Sequence, residues 1–198
     1  MRAQRPQPGE TSFETVLAAA RDGEQWAATA IWVEYAPAVT AFLSARGSRE
    51  PEDLASEVFL AIFDTIGRFH GDRDAFRSYV FSIAYRRLVD ELRRRERRGE
   101  HEPWTPERDL RRSASAEHEA TARLGDRDAL ALLDSLAPDQ RDVMVLRIIA
   151  DLTIEQVAAV LGKRVGAVKA LQRRAIAQLR KKVAPPRTPD SGPDDSGE

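Results

Sequence analysis

Apolar residues recur along most of the chain at the three- and four-residue spacing of a helix face, and no stretch alternates as a half-buried strand does. The pattern predicts an all-α protein. Thr11 with Glu14 three residues on reads as a capping box ahead of Phe13, Val16, Leu17 and Ala20. A second helix, about Glu24 to Arg46, carries Trp26, Ala30, Ile31, Val33, Tyr35, Val39 and Phe42, with a kink expected at Pro37 and an end at Gly47-Ser48. A third starts at Pro51, whose missing N–H costs nothing in a first turn, with Glu52 and Asp53 at the favourable end of the helix dipole. It runs to about Ile66. Leu54, Val58, Ala61, Ile62 and Thr65 form one stripe, which Phe59, Phe63 and Ile66 widen beyond a single face, so this helix is central. After a loop, residues 67–74, with two glycines and two candidate aspartate caps, a fourth helix spans Ala75 to about Arg98. It is apolar through Phe76, Tyr79, Val80, Ile83, Ala84 and Leu88, then almost purely arginine.

The helical pattern breaks over residues 99–125, which are rich in Pro, Ser and charge and read as a linker. It resumes in four short segments over 126–183, and the proline- and acid-rich residues 184–198 read as a disordered tail, as do residues 1–10 at the other end. Two small helical domains, 11–98 and 126–183, joined by a flexible linker are the expected organisation. No apolar run approaches the ~18 residues of a membrane span, so membrane insertion is not expected. The absence of cysteine excludes disulfides, thiol nucleophiles and Cys-ligated zinc, and fits a cytoplasmic protein.

The sharpest local pattern lies between Thr153 and Leu179. Thr153 and Gln156 form a capping box, Val157 and Leu161 face inward, Ala158 is small enough for close helix approach, and Gly162 supplies a positive φ at the turn. Val165, Val168, Leu171, Ala175 and Leu179 then form the inner face of a second helix. This is helix-turn-helix spacing. At 100° per residue the second helix turns Gly166, Ala170, Arg173 and Ala177 outward, and its small N-terminal residues permit deep entry into a major groove. Lys169 and Arg173 then reach base edges, while Lys163, Arg164, Arg174 and Arg180 suit phosphates.

Charge adds a second basic element. The net charge is −1, yet residues 86–98 hold seven arginines against three acids, and residues 163–182 hold eight basic residues and no acid. Two basic segments on an otherwise acidic chain suggest two contacts with a polyanion, the alternative being solvated helix faces.

At this point the residues resemble a known family. Glu52-Asp53-Leu54-Ala55-Ser56-Glu57-Val58-Phe59-Leu60, Phe76 to Ala84, and Leu88 to Arg95 look like region 2 of an extracytoplasmic-function (ECF) RNA polymerase sigma factor. Leu133 to Arg141, leading into the helix-turn-helix, is similar to region 4. The resemblance implies two partners, core RNA polymerase, through its beta-prime clamp helices and beta subunit, and promoter DNA. An anti-sigma factor is a third partner known in the family. It implies polymerase contacts at Asp53, Leu54, Ser56 and Glu57. It implies minus-ten contacts at Phe69, His70, Arg73, Tyr85, Arg86, Arg87, Arg93 and Arg94, with aromatics stacking on unwound bases. Lys163, Arg164, Gly166, Lys169, Ala170, Gln172, Arg173 and Arg174 would meet the minus-thirty-five element. Ser56, Tyr79, Arg86, Arg164, Ala167 and Ala170 depart from the family's commonest residues, and no promoter consensus is inferred.

Two rivals stand beside this reading. A stand-alone helix-turn-helix regulator accounts for 126–183 but leaves the arginine helix without a role. An enzyme has little to rest on: His70, His101 and His118 lack ligand spacing, and no phosphate loop, nucleophile elbow or zinc signature is present, so no catalytic residue, metal or cofactor is expected.

Overall fold

The structure, a computed structural model, describes residues 12–99 and 131–183. The N-terminal arm, the linker from residue 100 and the acidic tail lie outside the described residues, as does Thr11. All regular structure among the described residues is helical. The N-terminal bundle comprises α1 (Phe13–Arg21), α2 (Gln25–Ala45), α3 (Pro51–Thr65), a 3₁₀ turn (Ile66–Arg68) and α4 (Arg73–Arg97). The C-terminal bundle comprises a helical turn at residues 131–134, then α5 (Pro138–Ile148), α6 (Ile154–Leu161) and α7 (Val165–Val183).

Helix ends follow local chemistry. The cap of α1 is Ser12, whose hydroxyl accepts from the Thr15 amide, and not the Thr11 box expected from the sequence. α2 continues through Pro37 without a break. Asp72 caps α4 by accepting from the Ala75 amide at 2.8 Å, which starts that helix two residues earlier than its apolar pattern does. Both halves of the Thr153–Gln156 box form, and Gly162 ends α6 at φ +62°, in the left-handed region that glycine occupies without strain.

The N-terminal core centres on Phe42, Phe59, Phe76 and Phe81, all essentially inaccessible, with Ile31, Val39, Val58, Ile62, Val80 and Leu88 around them. Phe76 meets Phe13, Tyr35 and Phe69 with ring centroids 5.2–5.5 Å apart. α3 is central as its wide stripe predicts, although Thr65 is exposed and turns its hydroxyl back to the Ala61 carbonyl. The second half of α4 pins the α2–α3 turn: Glu91 accepts from Ser48 Oγ at 2.8 Å and the Arg49 amide at 3.1 Å, and Arg95 donates to the Gly47 carbonyl.

In the C-terminal bundle Val143, Val145, Leu146, Leu152, Val157, Val168 and Ala175 make the core. Arg141 pairs with Asp134 at 3.0 Å and donates to the Leu133 carbonyl, and Gln178 donates to the Ser135 carbonyl. These bonds fasten α5 and α7 to the preceding turn. The two bundles also pack on each other, with α6 against the start of α4 and α5 against α2.

Candidate nucleic-acid and polymerase interfaces

The loop between α3 and α4 and the outer face of α4 enclose a cleft of about 720 Å³ lined by Thr65, Arg68, Phe69, His70, Tyr79, Ile83, Arg86, Arg87 and Asp90. Its apolar wall is built by packing. Phe69 lies 5.0 Å from Tyr79 and 5.2 Å from Phe76, and its backbone carbonyl accepts from Arg21. Tyr79 shares a hydrogen bond with Thr65, so its ring stands at the rim of the cleft and not wholly in the core. Gly71 is required here: a Cβ at that position would fall 2.8 Å from Ala75 Cβ and 3.0 Å from the Phe69 ring. An aromatic wall facing two guanidinium groups suits a base with its phosphate. Arg87 continues into a second, smaller cleft of about 510 Å³ with Asp90, Arg93, Arg94, Glu96 and Arg97, so one face of α4 carries a basic track about three turns long.

Phe69, His70, Arg86 and Arg87 are thus brought together, and Arg93 and Arg94 extend their line. Arg73 and Tyr85 are not part of it. Arg73 pairs with Glu34 at 3.3 Å and lies over the Phe13 ring, because the Asp72 cap makes it the first residue of α4 and turns it toward α1 and α2. Tyr85 faces the C-terminal bundle, where its hydroxyl donates to Asp142 at 3.3 Å. Burial pushes the Tyr85 phenol up to about 12, and the neighbouring Asp142 adds to the shift.

The second basic surface lies on α7. Arg164, Gly166, Lys169, Arg173 and Arg174 are exposed, whereas Ala170 and Gln172 are half-buried. Lys163 is held by Asp139 at 3.0 Å. Val168 and Ala175 are buried against α5 and α6, which fixes the opposite face of α7 outward.

A third surface is apolar. Trp32, Val33 and Leu60 are large hydrophobic residues exposed on α2 and α3, and Trp32 packs on Phe59 with ring centroids 4.6 Å apart. Asp53, Ser56 and Glu57 are exposed beside them, but Leu54 is only 5% exposed and is a core residue: it sits at the inward phase of the α3 stripe. The helical pattern counts every apolar residue toward the core, which is why Trp32, Val33 and Leu60 escaped sequence reasoning.

Among the described residues no helix is long and apolar enough to cross a membrane, and no group of His, Asp and Glu side chains could hold a metal ion.

Comparison with known proteins agrees with this division. Residues 31–98 match the family described as Sigma-70 region 2, and residues 132–181 match Sigma-70, region 4. The ECF RNA polymerase sigma factor ShbA of Streptomyces griseus is 35% identical over 133 residues, 65% of this chain and 69% of its own length. The ECF sigma factor RpoE of Cereibacter sphaeroides is 29% identical over 180 residues, 88% of this chain and 96% of its own. Among solved structures, CnrH in complex with the cytosolic domain of CnrY aligns with a TM-score of 0.62 and 24% identity over 84% of this chain and 94% of CnrH. RpoE with the anti-sigma factor NepR from Bartonella quintana aligns at 0.60 and 20% identity, covering 79% of this chain and 98% of that one. At these identities the structures speak to the fold.

Proposed function

The chain belongs to the ECF sigma factors of the sigma-70 family, which direct core RNA polymerase to promoters, and on that premise we propose how its three surfaces divide the work. The α2–α3 face of Trp32, Val33 and Leu60, rimmed by Asp53, Ser56 and Glu57, docks on the polymerase clamp. The cleft of Phe69, His70, Tyr79, Arg86 and Arg87 takes an unpaired base of the minus-ten element, and Arg93 and Arg94 follow the strand's phosphates. The N-terminal half of α7 enters the major groove of the minus-thirty-five element, where Lys169 and Arg173 meet base edges and Arg164 and Arg174 meet phosphates. The work is done in the cytoplasm with polymerase, and an anti-sigma protein is the regulatory partner this membership suggests.

The observation that carries the reading is the single cleft uniting an aromatic wall with Arg86 and Arg87 on the module opposite the helix-turn-helix. Duplex recognition by α7 alone needs no such cleft. The test is transcription by reconstituted holoenzyme with promoter melting read in parallel. Phe69→Ala and Arg86→Ala/Arg87→Ala are expected to retain polymerase binding and lose melting. If both melt the promoter as the parent does, the cleft is not the strand-capture site.

A further inference from the structure

Asp142 is the one charged residue fully buried among the described residues, at 5% exposure. It belongs to α5, yet both of its polar partners come from the other module. The Arg46 guanidinium, at the C-terminal end of α2, forms an ion pair with Oδ1, and the Tyr85 hydroxyl, from α4, donates to Oδ2. Arg46 is itself largely buried, its side chain 10% exposed. Two further bonds cross the same boundary: Gln156 donates to the Asp74 carbonyl at 3.1 Å, and Arg77 reaches the Ala150 carbonyl at 3.5 Å. Both bonds of the Asp142 carboxylate are made to the N-terminal bundle; within its own bundle Arg141 adds an electrostatic attraction without a bond.

The packed arrangement is incompatible with promoter binding as proposed above. The two elements lie about 25 base pairs apart, roughly 85 Å along B-DNA at ~3.4 Å per pair. A compact chain of this length has a radius of gyration of ~16 Å. The bundles must therefore part before α7 and the α4 cleft occupy their sites together. A buried ion pair suits a contact that must open, because the cost of drying both charges offsets much of their attraction and parting returns both to water.

We propose that Asp142 is a latch in cis: inserted between Arg46 and Tyr85, it holds the helix-turn-helix module against the N-terminal bundle and keeps the free chain closed until polymerase separates them. The latch rests on the sigma-factor reading only for the consequence of opening. The contact itself is read without DNA or polymerase.

The absence of cysteine permits the direct test. Dyes are placed on the full chain at Asp22→Cys and Lys182→Cys, both exposed positions, and energy transfer is measured in the free protein. Asp142→Ala and Arg46→Ala are each expected to lower transfer, with helical circular dichroism unchanged. The swap Arg46→Asp/Asp142→Arg is expected to restore it. Binding of an arbitrary short DNA duplex at low salt should rise severalfold in the two single variants and return in the swap. Unchanged transfer in both single variants overturns the latch. So does loss of helicity in Asp142→Ala, since the carboxylate would then support its own bundle. In the same preparations, failure of the parent chain to drive promoter-specific initiation by core polymerase would sink the sigma-factor reading and leave the latch standing.

Discussion

Gly71 and Phe69 show how a single backbone position sets a functional side chain. Adding one methyl group at 71 drives it into Ala75 and the Phe69 ring, and the ring is the part with somewhere to go. Gly71→Ala is expected to cost ~1–3 kcal/mol in thermal unfolding and to reduce promoter melting more than it reduces polymerase binding. Equal losses in both would show that Phe69 keeps its place. On α7, Arg173 is exposed midway along the helix as its phase predicts and Lys181 lies near the far end, whereas Ala170, expected outward by the same phase, is half-buried. Arg173→Ala should cost ~1–3 kcal/mol on the correct minus-thirty-five sequence and blunt discrimination among variants. Lys181→Ala should weaken all duplexes alike and make the log–log salt dependence shallower by about one unit. A uniform loss for Arg173→Ala across promoter variants would mean that it holds phosphate. Side-chain placement was legible where phase alone decides it, as for the exposed Arg173. It was not where a neighbour redirects the side chain, as with Arg73 over Phe13.

At the scale of elements, the helices were readable because each end carries its own chemistry: Pro51 at a first turn, Asp72 as a cap, the Thr153–Gln156 box and Gly162. Errors were small and local, as at Ser12, where two adjacent hydroxyl residues compete for one cap. Periodicity says less about α3, whose apolar residues outnumber the positions of one face. The resemblance makes Leu54 a polymerase contact although the stripe already turns it inward, and the structure buries it, while Leu60, which the stripe leaves out, is exposed. Leu60→Asp is therefore expected to leave unfolding free energy within about ±0.5 kcal/mol, as an exposed site should, while weakening the complex with core polymerase in a pull-down. Asp53→Lys/Glu57→Lys should act in the same assay and the same direction. If Leu60→Asp destabilises the fold and spares the complex, α3 turns a different face to polymerase.

For the whole molecule, the sequence supports two modules but says nothing of how they sit, since Arg46, Tyr85 and Asp142 are far apart in the chain and share no periodic pattern. Within its own helix Asp142 reads as one more polar residue in Asp139-Gln140-Arg141-Asp142. Only packing reveals that it is dry. That dryness gives the closed form a pH dependence. Tyr85 is raised from 10.0 to about 12, first by burial, then by Asp142 and Asp139, with Arg46 opposing. A phenol whose pKa is raised holds its proton more tightly when packed. Its contribution is complete below pH 10 and is lost as the pH climbs from 10 through about 12. Ionisation would also set a phenolate beside the Asp142 carboxylate, two negative charges facing one guanidinium. The dye pair across the modules should therefore report opening over that range. Tyr35, also raised to about 12 by burial, lies inside the N-terminal bundle, so its ionisation should appear as loss of helicity and not as separation. Tyr85→Phe has no proton to lose, and in it the alkaline opening should shift upward until it merges with unfolding of the bundle. Identical opening profiles for Tyr85→Phe and the parent chain would show that the interface does not depend on this proton.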